Sequence, residues 1–459
     1  MTDIKSMATL YDAHRALLRG EISSVSLVNR ALDRVEDPGG EGCRTFLRVD
    51  RAAAMQAARA ADTARAQGGE VSPLAGLPVS VKDLFDVAGE VTLAGSTVRA
   101  DAAPAAVDSA VVRRLRKAGA VIVGRTNMTE FAYSGLGLNP HYGTPANPYE
   151  RSAGRIPGGS SSGGAVSVSD GMAFAAVVSD TGGSARIPAA FCGLTGFKPT
   201  AARIPLDGAF PLSPSLDSVG AIGATVACCA ALDSVLAGQP WLVQEPVEAE
   251  TLRIGIVVDF MTQDLDPQVT RAYQAALSSI SAAGVHIEEV RYPELFDLPA
   301  YNRNGGFAAY ESYRAHAELI EVRGDEYDPR VASRIRRGKL MQPHEHAVLC
   351  SQRDTFIRAS AARFRGFHAL VAPTVPIIAP LLSACDLDEE FARLNLLVLR
   401  NPSVVNFLDG CAISIPCHRP GDASVGLMLF QTAHRDQELL AVALVVEELI
   451  CRGLGVGHV

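Results

Sequence analysis

Two spacings of apolar residues alternate along the chain. Leu10, Ala13, Leu17 and Leu18, then Leu27, Ala31, Leu32 and Val35, recur three or four apart, and the Ala-rich run 50–66 repeats that spacing beyond the loop DPGGEG, so residues 1–70 are predicted to form a helical lead-in. The stretch 73–90, PLAGLPVSVKDLFDVAGE, changes to a period of two. Val79 and Val81 fall on one face of a short strand, and Ser80, Lys82 and Leu84 on the other. Residues 108–137 read as a helix, the strand AVIVG, and a loop carrying Thr126, Asn127 and Glu130. The stretch 210–238 reads as a loop into a helix. Strand, helix and strand follow in LRIGIVVD (252–259), 267–284 and VHIEEVRYP (285–293). Buried strands return in HALVAPTVPI (368–377), CAISIPC (411–417) and SVGLMLFQ (424–431), and 435–452 closes the chain as an amphipathic helix. Strands at both ends belong to one pattern, which predicts a single α/β domain over 1–459, a mixed sheet covered by helices. The charged and aromatic stretch 294–366 holds no motif and is the expected substrate-shaping region.

Composition narrows the function classes. The chain has 459 residues, 48% hydrophobic and 20% charged, enough for a large core and without a disorder signature. A net charge of −8 with no basic cluster argues against nucleic acid or an anionic membrane as the main partner. The first twenty residues place a charge inside every short apolar run, and runs such as LLAVALVV (439–446) are too short to span a bilayer, so a cytoplasmic protein is expected. The nine cysteines include no Cys-x-x-Cys, and Cys228-Cys229 has no second pair, so each reads as a reduced, core-packed thiol and no metal is expected.

The chemistry concentrates between Gly154 and Thr200. Two clusters of glycine and small hydroxyl residues, Gly158 to Gly164 and Thr181 to Ser184, flank a segment of Ala, Val and Ser. Such composition lets backbone approach a ligand closely. There is no Walker loop, no G-x-G-x-x-G and no H-E-x-x-H; His344-Glu345-His346 lacks the metal spacing and reads as a solvated helix face, and no cofactor is implied. Gly159 to Gly163 fits the G-x-S-x-G elbow but lacks a convincing strand before its serine. Ser184 follows the strand AFAAVV on a turn made by Gly182 and Gly183, where the backbone N–H groups of Thr181 to Ser184 can form an oxyanion hole. No histidine lies near, and a deprotonated lysine can serve as base instead. The chain has only five lysines, and Lys82 stands inside a strand. From that stretch alone it is either such a base or a strand-end lysine reaching solvent.

PGGSSSGG, then DTGGSARIPAAFCGLTGFKPT with Ser160 and Ser184 24 positions apart, then FPLSPSLDSVG, resemble the amidase signature family. The upstream LAGLPVSVKDLFDVAG and TNMTEFAYSGLGLNPHYGTPANP resemble it too, so the likeness runs from about 74 to 238, with weaker echoes in the C-terminal quarter (368–459). The resemblance implies a large twisted mixed sheet with helices on both faces. It implies Ser184 as nucleophile, Lys82 as base, and Ser160, after a cis peptide bond, as the bridging serine. The oxyanion hole would be the backbone of Thr181, Gly182, Gly183 and Ser184, with Asp180 and Arg186 as a bracing ion pair; Arg186 facing substrate is the alternative. Tyr133 and Gly135 are candidates for the acyl pocket. Ser161 and Ser162 read as capping or packing the following helix, and Cys192 as core. Ser179 stands where the family often has Thr, and Ala185 where it often has Ile or Val. The implied reaction is hydrolysis of small amides, anilides or carbamates through an acyl-enzyme, with esters as a further class. Alternatives are the amidase subunit of a glutamine-dependent tRNA amidotransferase and an inactive binding homologue. Family members are often dimers, which leaves a homodimer open.

Overall fold

The computed structural model describes residues 9–68, 72–240 and 247–455. Residues 1–8, 69 and 70 of the expected lead-in lie outside them. Among the described residues, eleven strands form one mixed sheet: β1 (Phe46–Arg48), β2 (Pro78–Lys82), β3 (Val121–Thr126), β4 (Ala175–Ser179), β5 (Thr195–Lys198), β6 (Val219–Gly223), β7 (Arg253–Val257), β8 (His286–Val290), β9 (Ala369–Pro373), β10 (Cys411–Pro416) and β11 (Gly426–Gln431). Their spatial order is β1-β3-β2-β4-β6-β5-β10-β11-β9-β7-β8. β3, β2 and β4 run parallel, as do β9, β7 and β8, and the strands between these blocks pair antiparallel. One sheet therefore joins both ends of the chain into a single α/β unit.

Alternation along the strands divides two cores. Val79 and Val81 of β2 and Ala175 and Val177 of β4 enter the large cluster that also holds Leu115, Leu232, Ile280 and Val446 from helices 110–117, 226–237, 267–282 and 436–454. Ala176 and Val178 point the other way and pack on Ala165, Val166, Ala185 and Ala189, at helices Ser162–Ser169 and Arg186–Cys192. The lead-in forms two helices, Leu10–Leu18 and Ser24–Val35, the second opened by the Ser23 hydroxyl, which accepts the Ser26 N–H at 3.1 Å.

Three stretches differ from the sequence expectation. Within 210–238, residues 219–223 are not loop but β6, at the centre of the sheet. Its glycines disguise it: a Cβ at Gly220 would lie 2.9 Å from the Ala185 Cβ, and one at Gly223 2.7 Å from the Cys228 Cβ, so close helix packing excludes the side chains that mark strands. Residues 294–366, where no motif is legible, are mostly helical, including Gly306–Arg323, Pro329–Arg337 and Pro343–Ser360. The longest helix, Asp388–Leu408, goes unread because Pro402 stands inside it. The cysteines divide as well: Cys192, Cys228, Cys229, Cys385, Cys411 and Cys417 are buried, whereas Cys350 and Cys451 are half-buried and Cys43 is exposed, which corrects the reading of every thiol as core.

Candidate active site

Lys82 ends β2 and is wholly buried. The polar face it shares with Ser80 lies against helix Ser162–Ser169, where the Ser80 and Ser167 hydroxyls meet at 2.8 Å. Its Nζ lies 2.7 Å from Ser160 Oγ and 2.8 Å from Ser179 Oγ. Burial pushes the Lys82 pKa down to about 7, against the opposing pull of Asp180 and Asp217. Lysine rather than arginine matters here, because only lysine can lose its proton in such a place. The lysine does not reach solvent.

Ser160 follows a cis peptide bond from Gly159. Backbone contacts hold that turn: Gly159 N–H donates to the Gly135 carbonyl at 2.8 Å, and Thr129 N–H to the Ser160 carbonyl at 3.0 Å. Glycine is required at 159, because a Cβ there would lie 2.5 Å from the Gly137 nitrogen. No strand precedes Ser161, which leaves the elbow motif without its framework. Ser161 makes no side-chain cap; its hydroxyl donates to the Ser179 carbonyl at 3.5 Å, and Ser162 Oγ is buried without a partner. Both serines pack.

The loop that carries Ser184 leaves β4 at Asp180 and enters helix Arg186–Cys192. Asp180 and Arg186 are both fully buried and join through two contacts, 2.8 and 3.0 Å. Arg186 also donates to the Pro402 carbonyl (2.9 Å) and to Asn406 Oδ1 (2.7 Å), so its guanidinium faces protein and not substrate. Burial raises the Asp180 pKa, but Arg186 outweighs it and holds the carboxyl well below the usual range. The carboxylate also accepts N–H groups from Gly183 (2.9 Å) and Ala185 (3.1 Å). Gly183 N–H is thus taken up by Asp180, while those of Thr181, Gly182 and Ser184 have no protein acceptor among the described residues. Gly183 sits at φ 127°, and a Cβ there would lie 2.6 Å from Pro402 Cβ. Thr181 donates its hydroxyl to Asp217, whose other oxygen accepts Leu212 N–H and Ser213 N–H at 3.0 Å each.

Sequence reasoning did not find helix Asp388–Leu408, which backs this loop. Asn395, Leu399, Pro402 and Asn406 recur four, three and four apart and form one face. Asn395 Oδ1 accepts Gly135 N–H and the Ser134 hydroxyl, each at 2.9 Å. Leu399 lies between the positions a Cβ would take at Gly135 (3.3 Å) and Gly182 (3.4 Å). Asn406 donates to the Asp180 carboxylate at 2.9 Å while accepting from Arg186. Ser179, noted only as a replacement for Thr, also contacts Lys82; its place at the end of β4, just before DTGGS, was the available signal.

Helix Gly306–Arg323 covers the same end of the sheet. Glu311 accepts the Ser213 hydroxyl (2.6 Å) and Ser215 N–H (3.1 Å) from the loop that carries Asp217. The adjacent Ser312 hydroxyl lies against that of Tyr133, whose pKa burial pushes up to about 12. Arg334, from helix Pro329–Arg337, donates to the Tyr133 carbonyl and stacks 5.0 Å over the Phe391 ring. No carboxylate lies within ion-pair distance of Arg334 among the described residues, and burial pulls its pKa down. Cys192 is buried, with its thiol pushed far up by burial and its Sγ 3.4 Å from the Pro157 carbonyl, which makes it a poor nucleophile. In the His344-Glu345-His346 segment, Glu345 caps helix Pro343–Ser360 and His346 stacks on Tyr310 at 4.2 Å.

A buried lysine, two serines and a glycine turn at one end of a mixed sheet define a class of serine-bearing site built without histidine. The amidase family profile matches residues 27–440, and the chain belongs to the amidase family, the amidase signature proteins. It is 36% identical over 452 residues to a 2-amino-5-chloromuconic acid deaminase of Comamonas testosteroni, covering 95% of each chain. It is 31% identical over 468 residues to a glutamyl-tRNA(Gln) amidotransferase subunit of a Roseiflexus species, covering 95% of this chain and 94% of that one. A solved amidase structure superposes with a TM-score of 0.86 at 30% identity, over 96% of this chain and 99% of that one. A peptide amidase of Stenotrophomonas maltophilia superposes at 0.79 and 24% identity, over 96% and 97%, and shares the fold. The chain is a hydrolase of the amidase family acting on carbon–nitrogen bonds.

Proposed function

We propose that the protein hydrolyses small amides, anilides or carbamates through a Ser184 acyl-enzyme, with Ser160 and Lys82 as its proton relay. The observation that carries this reading is a wholly buried lysine, with a pKa near 7, held 2.7 Å from Ser160 Oγ. Neutral Lys82 takes the Ser160 proton as Ser160 takes that of Ser184. Ser184 Oγ attacks the carbonyl carbon, and the oxyanion meets the N–H groups of Thr181, Gly182 and Ser184. As the carbon–nitrogen bond breaks, the relay returns its proton to the departing amine. Water, deprotonated by the same relay, then releases the acid and restores Ser184. Asp180 and Arg186 keep the loop in register without touching substrate.

Tyr133 and Gly135 line the substrate side in this reading, with Arg334 behind them. A half-buried guanidinium without a carboxylate partner suits a substrate that brings its own. The relative named as acting on 2-amino-5-chloromuconic acid supports an acidic substrate. The test is hydrolysis of a panel of amides, anilides, carbamates, esters and glutamine, acidic and neutral, by the wild type, Ser184→Ala and Lys82→Ala. Turnover lost in both variants supports the relay, and turnover surviving in Ser184→Ala overturns it. A second reading, as one component of a glutamine-dependent amidotransferase, is favoured by full-length relatives of that name. Glutamine as the sole substrate turned over, and only with partner subunits, would establish it. Failure of a fluorophosphonate to label Ser184 would instead indicate a binding homologue.

A further inference from the structure

We propose that the end of the sheet opposite Lys82 carries a second binding site, for a small organic carboxylate with an apolar body. A cavity of about 670 Å³ opens there, beside Pro78 at the start of β2 and Phe174 just before β4, whereas Lys82 and Ser179 end the same two strands. Helix Ser24–Val35 presents Arg30 and Arg34 to it, one turn apart on one face. Like charges so placed repel. Neither arginine has a carboxylate within ion-pair distance among the described residues; Arg34 donates to the Gly171 carbonyl at 2.9 Å, and Arg30 Nη1 is buried with no partner. Burial and then the Arg34 charge lower the Arg30 pKa, the sign expected of a guanidinium that lacks a counter-ion.

The acids lining the cavity do not supply one. Asp170 is held through both oxygens by Arg151, at 2.6 and 2.7 Å, and Asp37 is exposed at the rim, where it accepts Gly39 N–H at 3.0 Å. Two guanidiniums therefore face the space unopposed, in a protein whose net charge is −8. Apart from Arg151, which Asp170 holds, and Ser169, whose hydroxyl donates to the Val166 carbonyl at 3.2 Å, the other side chains of the lining are apolar, among them Leu27, Val168, Met172, Phe174 and Leu194. A carboxylate meets the planar fork of an arginine through two parallel hydrogen bonds. The apolar floor asks in addition for a hydrocarbon or aromatic body, which inorganic anions and acetate lack.

Calorimetric titration of the whole protein with benzoate, acetate and inorganic phosphate tests the site. Benzoate should bind more tightly than either control, and at least about tenfold more weakly to Arg34→Gln, an exposed side chain whose loss leaves the fold and the turnover intact. Arg30→Lys, which keeps the charge but not the fork, should fall between. Benzoate binding equally well to the wild type and Arg34→Gln would overturn the proposal, as would no binding at millimolar benzoate. Phosphate binding as tightly as benzoate would overturn the apolar-body requirement. These readouts do not depend on turnover, so they stand or fall apart from the Ser184 reading.

Discussion

The loop that carries Ser184 and the helical cover around 298–360 manage charge in opposite ways. In and around the loop, Asp180, Arg186, Asn406, Thr181 and Asp217 are buried, and each bonds another part of the chain. In the cover, Arg323 pairs with Asp101 and Glu326, and Lys339 with Glu321, where the acidic partners are 46–73% exposed. A buried network is rigid because every member must stay satisfied, whereas surface pairs exchange with water at little cost. The buried contacts sit where movement is expensive, and the surface pairs of the cover are free of that demand.

Substitutions can break this contrast, beginning with the largest effect. Ser184→Ala should lower kcat/KM by about ten-thousand-fold with little change in thermal midpoint, as measured by kinetics and calorimetry. Arg186→Met leaves Asp180 buried and unpaired, and denaturant titration should register a loss of about 3–5 kcal/mol. Gly183→Ala forces a Cβ against Pro402 at a φ that disfavours one, for about 2–3 kcal/mol by the same measurement. The pH profile probes the burial of Lys82 directly. Only neutral lysine accepts a proton, so kcat/KM should rise with pH through about 7, with about a tenth of the plateau left one unit below. A flat profile from pH 6 to 8 would contradict the assignment of the base. In the cover, Arg334→Gln should raise KM for an acidic substrate by roughly tenfold while leaving kcat near wild type. Arg323→Ala should cost less than about 0.5 kcal/mol, and a loss as large as that of Arg186→Met would erase the distinction between the two regions.

What the sequence disclosed follows the same division. The clusters around Ser160 and Ser184, and the lysine at 82 within an apolar strand, are legible because close backbone approach and a removable proton restrict residue types locally. The α/β alternation is legible because strands and helices leave different periods. β6 and helix Asp388–Leu408 are not, since Gly220 and Pro402 answer to packing partners far along the chain, Gly223 answers to Cys228 in the next helix, and all three contradict local propensity. Asn406 could not be singled out, because nothing near residue 406 indicates that Asp180 will arrive beside it. Glu311 is hidden likewise: one of three acids on its helix, it is distinguished by the Ser213 loop it meets.

The bond between Asn406 and Asp180 spans 226 positions. During synthesis, a chain that has only just exposed Ser184 already carries Lys82, Ser160 and the glycine turn, but lacks the asparagine that completes the loop's anchor. Strands β10 and β11, which connect the two halves of the sheet, come later still. Anchoring of the loop thus waits for segments made more than two hundred residues after it, so that a fragment ending before residue 406 holds Asp180 without this partner.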